Sequence, residues 1–324
     1  MSLPNNSTIL NSLRTKTNQL LAPWGLAFTR VPKRSWLWGK PVVSVPVGSF
    51  RIQIPTANPL SSHYLLEPHC ISQLGRLTKL IRRKYPALHA IDVGANVGDT
   101  ACIIKSAEDI PLICIEGDRF SFAFLQKNTA QFSHTSAYNL FLGEKTGLIQ
   151  ADLEKSGWNT TIKPGASLAA REVQLTSIDD FIGRQEACGT MKLFKVDTEG
   201  FDCPIIRGGR EYIRQVSPVI VFEYNRENMD ALGEKGLDTL AMLEQLGYSR
   251  IFFHDPVGRY LLSTTLDQRT LLRDLHEYAD GRRGNICYYD LTLFHQHDHD
   301  LAEQFAQGEQ AVRDASDHVR SPGD

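Results

Sequence analysis

A glycine-rich turn after a short apolar run is the feature that most constrains this chain. Residues 90–99 read Ala-Ile-Asp-Val-Gly-Ala-Asn-Val-Gly-Asp, and a second apolar run, residues 112–115, ends at Glu116. An apolar run that stops at such a turn and continues as a helix leaves free backbone N–H groups at the mouth of a parallel sheet. Glu116 comes 18 positions after Gly98, near the spacing at which the next strand offers a carboxylate to ribose hydroxyls. The pattern therefore predicts a nucleoside-binding site.

The glycine pattern also discriminates between nucleoside ligands. A dinucleotide fingerprint requires a third glycine where this chain has Asp99, and a negative side chain there repels pyrophosphate. Asp92 precedes the turn, where a carboxylate suits an ammonium group, while Gly94, Asn96 and Gly98 tolerate tight or left-handed backbone. S-adenosylmethionine fits, because it carries an amine, a carboxylate and a ribose but no phosphate. An ordinary strand-to-helix connection and a nicotinamide-dependent oxidoreductase are the alternatives.

Composition favours an enzyme that acts on small molecules. The 324 residues are 42% hydrophobic and 22% charged, which is ordinary for a soluble globular protein with one main domain. The formal net charge of -2 gives no basic field, so we expect no nucleic-acid partner.

The cysteines and the apolar runs indicate the compartment. Six scattered cysteines without a C-x-x-C pair are typical of reduced thiols. No apolar stretch approaches the roughly 20 residues of a membrane span, and residues 1–16 lack an apolar signal-peptide centre. These features predict a cytoplasmic protein without a membrane span.

The chain divides into three predicted parts. Residues 1–85 form an N-terminal arm, a β-hairpin over 42–55 and a helix over 62–84. Residues 86–300 form the nucleoside-binding domain. Residues 301–324 form a polar C-terminal tail, with a frayed helix and a disordered end from about residue 302.

Strands and helices alternate in the central part, as in βαβ units. Two nearly continuous apolar runs, residues 191–196 and 219–224, are typical of central parallel strands that are covered on both faces. A polar loop over residues 155–170 carries Trp158, which we place near the opening of the site. The other predicted strands are 88–93, 112–116, 137–142, 148–153, 173–176, 250–254 and 286–294, and the other predicted helices are 120–132, 179–184, 203–216, 237–246 and 268–279.

A second group of charged residues follows the run at 191–196. The period of two in a strand puts Lys195, Asp197 and Glu199 on one face as the strand ends, and Glu223 comes at the end of the next apolar run. Ligands of doubly wound sheets bind outside the carboxyl ends of the strands, so this group should face the same opening as Glu116. Pairing of Lys195 with Glu223 or Asp197 is the structural alternative.

These motifs together resemble the FkbM family of S-adenosylmethionine-dependent methyltransferases. The matching segments are Ile-Asp-Val-Gly-Ala-Asn-Val-Gly at 91–98, Ile-Glu at 115–116, Phe-Lys-Val-Asp-Thr-Glu-Gly at 194–200 and Pro-Val-Ile-Val-Phe-Glu at 218–223. The resemblance runs from about Val42 to Phe294. It departs at Thr198, where an aliphatic residue is common, and at Gly117, where the family commonly has proline.

The resemblance implies an α/β, Rossmann-like class I methyltransferase fold. Its seven-stranded sheet would be mostly parallel, with helices on both faces and one antiparallel strand, residues 286–294. It also implies methyl transfer to a hydroxyl of a small molecule, typically a saccharide or a polyketide-like product. Asp92 and the amides of the turn at Gly94, Asn96 and Gly98 would then hold the methionine end of S-adenosylmethionine, and Glu116 the ribose. Residues 139–142, with Leu142, would border the adenine.

An aliphatic hydroxyl is a poor nucleophile, so the transfer calls for a general base or a bound divalent ion. The candidate catalytic residues are Asp197, Glu199, Glu223 and His254. A structural histidine is the alternative for His254. If Asp197, Glu199 and Asp202 gather a hard cation instead, oxygen ligands suit Mg²⁺. A methyltransferase-like protein that binds cofactor without catalysis is a further alternative, and the sequence predicts neither the acceptor nor the oligomeric state.

Overall fold

A computed structural model describes residues 35–37, 40–67, 70–156, 159–165, 170–185, 190–280 and 286–320. The strands in these ranges are β1 (Ser35–Leu37), β2 (Lys40–Val47), β3 (Phe50–Pro55), β4 (His89–Val93), β5 (Leu112–Ile115), β6 (Thr135–Tyr138), β7 (Phe141–Gly143), β8 (Gly147–Ser156), β9 (Asn159–Pro164), β10 (Arg171–Ser177), β11 (Met191–Val196), β12 (Val219–Tyr224), β13 (Tyr248–His254), β14 (Tyr260–Thr265) and β15 (Tyr289–His295). The α-helices are α1 (Leu60–Leu66), α2 (Ser72–Lys84), α3 (Asp99–Ala107), α4 (Arg119–Thr129), α5 (Ile178–Ile182), α6 (Asp202–Arg207), α7 (Arg210–Val216), α8 (Arg226–Ala231), α9 (Gly236–Gln245), α10 (Arg269–Tyr278) and α11 (His299–Arg320).

The main sheet has the strand order β14-β13-β15-β12-β11-β4-β5-β6. Neighbours from β12 to β6 are parallel, whereas β15 is antiparallel to both β12 and β13. The predicted antiparallel strand is therefore in the right place. The predicted strand count is corrected, because β14 adds an antiparallel edge strand and gives eight strands within the described residues.

Apolar cores lie on both faces of this sheet. Alternate side chains of β12 lie on opposite faces of the sheet. Ile220 and Phe222 belong to one core, and Val219 and Val221 belong to the other. Strands β11 and β12 read as continuous apolar runs because both faces are covered. The predicted hairpin is present as β2 and β3, and it packs with α2 and α11 into the second core.

A smaller sheet, of order β7-β10-β8-β9, stands beside the cavity described below. The predicted strand 137–142 is divided between the two sheets. Asn139 turns the chain there, and its Nδ2 donates to the carbonyl oxygens of Glu116 at 2.8 Å and Gly117 at 3.0 Å. The predicted loop 155–170 contains β9, which pairs antiparallel with β8. Trp158 lies outside the described residues.

Two predicted helices are each divided in two. The predicted helix 62–84 is α1 and α2, because Pro68 in the sequence between them lacks the N–H that a continuous helix needs. The predicted helix 203–216 is α6 and α7, which are separated by Gly208 and Gly209.

The last described segment is more helical than the sequence predicts. From His299 to Arg320 the chain forms the 22-residue helix α11, where the sequence predicts a polar tail from residue 301. Leu301, Phe305 and Glu309 recur every four residues and are buried, and the first two belong to the second core. A spacing of four residues is typical of the buried face of an amphipathic helix, and it is easily overlooked in a segment with a mostly polar composition. The division of the chain into three domains stays a prediction. No helix among the described residues is long and apolar enough to cross a bilayer.

Candidate active site

A cavity of about 450 Å³ opens at the carboxyl ends of the parallel strands. This is the edge at which doubly wound sheets bind their ligands. Its wall includes seven of the ten residues that the sequence predicts for the site: Gly94, Asn96, Glu116, Leu142, Asp197, Glu199 and Glu223. Asp92, Gly98 and His254 lie elsewhere.

Gly94 allows the ends of β4 and β11 to meet. Its φ is 74°, and a Cβ added at this position would lie 1.7 Å from the carbonyl oxygen of Asp197. The Gly94 N–H donates to the Ile115 carbonyl at 2.9 Å, and the Asp197 N–H donates to the Val93 carbonyl at 3.0 Å. The turn therefore joins the carboxyl ends of three adjacent strands, β5, β4 and β11.

Glu116 is fixed by backbone donors on both carboxylate oxygens. Oε2 accepts from the Asn96 N–H at 2.9 Å, and Oε1 accepts from the Asp118 N–H at 2.7 Å. Burial raises the pKa of Glu116 to about 7, although both amides act in the opposite direction. Each carboxylate oxygen has a second lone pair, which suits a ribose hydroxyl.

The wall beside Glu116 is apolar. Leu140, Phe141 and Leu142 line it, and the Phe141 ring packs directly on Gly117. A Cβ at Gly117 would lie 2.1 Å from this ring. The family commonly has proline at position 117, but here the Phe141 ring fills the space that a side chain at this position would need. This packing accounts for the glycine and gives the wall a planar apolar surface.

Asp92 holds a lysine of this chain and lies behind the cavity wall. Its side chain is fully buried, with Oδ1 3.1 Å from Lys195 Nζ and Oδ2 accepting from the Thr100 hydroxyl at 2.5 Å. Lys195 occupies the position expected for a ligand ammonium at Asp92, and contact of Asp92 with a ligand stays a prediction. Gly98 also stays off the wall and, with φ 91°, begins α3.

Asp99 is the carboxylate that reaches the cavity at this end. It is buried to 5% exposure and accepts a hydrogen bond from the Tyr64 hydroxyl at 2.7 Å. Burial raises the pKa of Asp99. The sequence had singled out Asp99 only as an obstacle to pyrophosphate, so its place in the site was missed.

Lys195 forms an ion pair with Asp197, which is one of the two pairings that the sequence analysis gives as the structural alternative. Its Nζ lies 3.3 Å from Asp197 Oδ2 as well as against Asp92, and it makes no ion pair with Glu223 among the described contacts. Burial acts to lower the pKa of Lys195, but the two carboxylates raise it above its usual range. The ammonium therefore stays charged.

Glu199 lies at the rim in a left-handed backbone conformation. Its φ of 57° is uncommon for a residue with a side chain and is found preferentially at functional sites. Asn228 Nδ2 donates to Oε2 at 3.1 Å. Burial, reinforced by the charge of Asp197, raises the pKa of Glu199 to about 7.

Glu223 and Asp290 are direct cross-strand partners of β12 and β15. Both line the cavity, and Asn225 Nδ2 donates to Glu223 Oε1 at 3.0 Å. Burial, with Asp197 next, raises the pKa of Asp290 to about 8 and that of Glu223 well above its usual range. Asp290 is not among the candidate site residues that the sequence predicts. Only the pairing of β15 beside β12 places it next to Glu223, and the sequence does not give this register.

The Mg²⁺ hypothesis gains no support from the structure. Asp202 accepts from the backbone N–H groups of Thr198 at 3.2 Å and Gly200 at 3.1 Å. Burial, with Asp197 next, raises the pKa of Asp202 to about 7. In the described ranges, no group of three or more His, Cys, Asp or Glu residues is placed to hold a metal ion.

His254 lies away from the cavity wall, in surroundings that favour the structural alternative, and its catalytic role stays a prediction. The side chain is fully buried, its Nε2 lies 3.4 Å from Glu309 Oε2, and its ring packs near Tyr260 and Phe305. The alternation of side chains along β13 places His254 on the face that α11 covers. The sequence predicts a polar tail in place of α11, so it gives no sign of this contact. The histidine on the cavity wall is His63 of α1.

The fold and the cavity match the arrangement of the class I methyltransferase fold. The parallel strands, the antiparallel β15, the glycine turn after β4 and the fixed carboxylate after β5 occur together here. Residues 92–250 match the family model described as "Methyltransferase FkbM domain". This match confirms the resemblance and leaves the oxidoreductase alternative without support.

Solved structures similar to this chain include methyltransferases. An FkbM methyltransferase from Methylobacillus flagellatus has 16% identity and a TM-score of 0.38, over 64% of this chain and 43% of that one. The match thus spans less than half the length of that protein. A putative transferase from Pyrococcus horikoshii has 12% identity and a TM-score of 0.38, over 89% and 86% of the two chains. A putative O-methyltransferase from Klebsiella pneumoniae has 9% identity and a TM-score of 0.34, over 68% and 78%. A comparison with curated proteins found no match.

Proposed function

We propose that this protein is an S-adenosylmethionine-dependent O-methyltransferase that acts on a hydroxyl of a small molecule, a saccharide or a polyketide-like product. The observation that carries the proposal is Glu116, which is held by two backbone amides on the wall of a cavity in an FkbM domain. A carboxylate fixed in this way at the end of the second strand suits a ribose.

The residues of the wall fit S-adenosylmethionine. Asn96 Oδ1 is buried without a hydrogen-bond partner in the described part of the chain, so it is open to a donor. Glu116 would hold the ribose, and the turn at Gly94 and Asn96 the methionine end. Leu142 and the planar surface of Phe141 would border the adenine.

The charges near the turn suit the methionine group. Lys195 and Asp99 both line the cavity, so an ammonium and a carboxyl group of this chain are present at that end. A ligand that carries one carboxylate and one amine is complementary to such a pair. We assign to Asp99 the contact that the sequence had predicted for Asp92.

When bound, S-adenosylmethionine supplies an electrophilic methyl group, which bonds to the acceptor oxygen as the carbon–sulfur bond breaks with its electron pair on sulfur. The acceptor hydroxyl must lose a proton in this transfer, and we assign that proton to Glu199. A carboxyl group with a pKa of about 7 is well matched to proton transfer near neutral pH. Asn228 orients it, and Asp197 and Glu223 remain alternative proton acceptors on the same wall. Holding the acceptor in line with the methyl group supplies much of the remaining rate.

We place the reaction in the cytoplasm and assign it no nucleic-acid partner. The cysteines that the structure describes, Cys70, Cys102, Cys114, Cys203 and Cys287, are free thiols, which supports a reducing compartment. The net charge of -2 supports a small-molecule acceptor.

Ligand-induced thermal stabilisation tests the cofactor assignment. Wild type, Glu116→Ala and the surface control Glu172→Gln would each be melted with S-adenosylmethionine, S-adenosylhomocysteine or NAD. We expect the two sulfur nucleosides alone to raise Tm, in wild type and Glu172→Gln but not in Glu116→Ala. Stabilisation by NAD alone, or by none of the three, would overturn the proposal. Release of S-adenosylhomocysteine in an acceptor screen then distinguishes catalysis from cofactor binding without turnover.

A further inference from the structure

One end of the cavity carries two carboxyl groups and a buried glutamine, beside the hydroxyl of Tyr288. We propose that this end, framed by Glu223, Asp290 and Gln73, is an acceptor subsite for a ligand that carries an ammonium group beside its hydroxyls, such as the glycoside of an amino sugar. The inference rests on the proposed function, because it concerns the acceptor of that same site.

The subsite lies away from the residues that suit adenosine. Glu116 follows β5, whereas Asp290 lies on β15, and β4, β11 and β12 separate these two strands. Four steps between neighbouring strands, at about 4.8 Å each, put the two strands roughly 19 Å apart in the sheet. A nucleoside held at Glu116 therefore leaves the β12–β15 end of the cavity for the acceptor.

Two carboxyl groups face each other at this end. Glu223 and Asp290 are direct cross-strand partners, an arrangement in which like charges repel. Lys195 is the one Lys or Arg side chain among the described residues of the wall, and it lies between Asp92 and Asp197. Its charge also acts to lower the pKa of Asp290, but burial and the charge of Asp197 outweigh it. Ionisation of both groups is therefore opposed, and a bound cation would favour it.

Gln73 is an independent indication of a ligand. It is 3% exposed and lines the cavity, and its Oε1 is buried without a hydrogen-bond partner in the described ranges. Buried side-chain acceptors of this kind are normally satisfied. The turn after β13 fixes its position, because the Ile71 N–H donates to the Val257 carbonyl at 3.2 Å and Gly258 packs directly against Oε1.

The side chains of Gln73, Glu223 and Asp290 favour a ligand group that donates hydrogen bonds. Gln73 Oε1 and the carboxylates of Glu223 and Asp290 all accept hydrogen bonds, and an ammonium group offers three donors and a positive charge. A carboxylate or phosphate on the ligand would be repelled here. Asn58 also lines the cavity, and its buried Nδ2 lacks a partner among the described residues, so it offers a donor to a neighbouring hydroxyl oxygen.

The proton affinity of the site agrees with this assignment. Burial, together with the charge of Asp197, raises the pKa of Asp290 to about 8, so its carboxyl group keeps its proton near neutral pH. A nearby positive charge favours the ionised form of a carboxyl group. Binding of an ammonium ligand would therefore displace this proton.

Four matched probes test the proposal: the methyl glycosides of glucosamine, N-acetylglucosamine, glucose and glucuronic acid. Their binding to wild type saturated with S-adenosylhomocysteine would be measured by titration calorimetry. N-acetylation removes the charge and keeps the ring hydroxyls. We expect the glucosaminide to bind at least about tenfold more tightly than its N-acetyl counterpart, and the glucuronide to bind least.

Variants locate the preference. We expect Asp290→Asn and Gln73→Met to remove most of the preference for the glucosaminide, and Glu172→Gln, which removes a carboxylate from the exposed surface of β10, to retain it. Thermal unfolding of each variant would verify that it folds, and the wild-type comparison needs no variant.

Three results would overturn the inference: equal or tighter binding of the N-acetyl glycoside, tightest binding of the glucuronide, or binding of none of the four at millimolar concentration. Saturation with S-adenosylhomocysteine comes first in this experiment, so it tests the proposed function separately from the ammonium subsite. If the nucleoside does not bind, the proposed function is wrong; if it binds and the glycosides show no charge preference, only the ammonium subsite is wrong.

Discussion

Lys195 Nζ lies 3.1 Å from Asp92 Oδ1, and the two residues are direct cross-strand partners of β11 and β4. Asp92 is fully buried and Lys195 is 5% exposed, so this ion pair is part of the floor beneath the cavity. The second carboxylate on the lysine, Asp197 at 3.3 Å, faces the cavity. The pair thus connects the centre of the sheet to the carboxylates on the cavity wall.

The first prediction concerns this pair. Lys195→Met removes the cation and leaves Asp92 as an uncompensated buried charge, which should lower the free energy of unfolding by about 3–5 kcal/mol. Chemical denaturation measures it. The double variant Lys195→Met with Asp92→Asn should recover a substantial part of the loss, because no unpaired charge remains. A single variant as stable as wild type would show that Asp92 does not depend on Lys195.

Local sequence pattern was sufficient to bring Gly94, Asn96 and Glu116 together on the cavity wall. Gly94, Asn96 and Glu116 belong to one strand–turn–helix–strand unit, whose geometry is determined within about 25 residues of chain. Such a unit places its turn and its carboxylate by itself. The partner of Asp92 depends instead on which strand lies beside β4, and β11 comes about 100 residues later in the chain.

The β12–β15 end of the cavity depends on contacts between distant segments. Asp290 reaches the site because β15 pairs with β12, and Gln73 reaches it because α2 packs against the turn after β13. His254 is excluded from it because α11 covers that face of β13. Periodicity gives the face of a strand, but it does not say which helix or neighbouring strand covers that face.

The second prediction uses two glycines with opposite surroundings. Gly94→Ala would place a Cβ 1.7 Å from the Asp197 carbonyl oxygen at a φ of 74°, so β4 and β11 must move apart. We expect a loss of more than about 2 kcal/mol in stability and of binding to S-adenosylhomocysteine. Gly147→Ala is the control, since no described atom lies within 4 Å of a Cβ there. Equal behaviour of the two variants would contradict the structural role of Gly94.

The third prediction is a pH dependence of cofactor binding. The pKa of Glu116 is raised to about 7, and its ionised form is the better acceptor for ribose hydroxyls. Affinity for S-adenosylhomocysteine should therefore rise with pH up to about 7, by at most about tenfold per pH unit, and then level off. Calorimetric titrations from pH 5.5 to 8.5, in about half-unit steps, would measure this. Glu116→Gln should bind more weakly with a flat profile in that range, and an unchanged slope in this variant would assign the titration to another group.

The fourth prediction concerns stability without ligand. Asp290 has a pKa raised to about 8 in the folded chain, against 3.8 as its ordinary value. The folded state therefore holds a proton that the unfolded state has released, and the stability that this proton contributes is fully present below pH 3.8 and lost as pH rises toward about 8. The free energy of unfolding of wild type should fall relative to that of Asp290→Asn across this interval, as followed by urea denaturation. Parallel curves for the two proteins would contradict the raised pKa.

The fifth prediction concerns the contact between α1 and α3. The Tyr64 hydroxyl donates to Asp99 Oδ2 at 2.7 Å, and both side chains are buried. Tyr64→Phe keeps the ring but leaves that carboxyl oxygen without its donor, which should cost about 1–3 kcal/mol of stability. Because α1 also carries His63 on the cavity wall, the variant should bind S-adenosylhomocysteine less tightly than wild type. Tyr278→Phe, at a tyrosine that is 53% exposed, is the matched control and should change neither quantity. If the Tyr64 variant matched this control in both denaturation and binding, α1 would be held over the site by its apolar contacts alone.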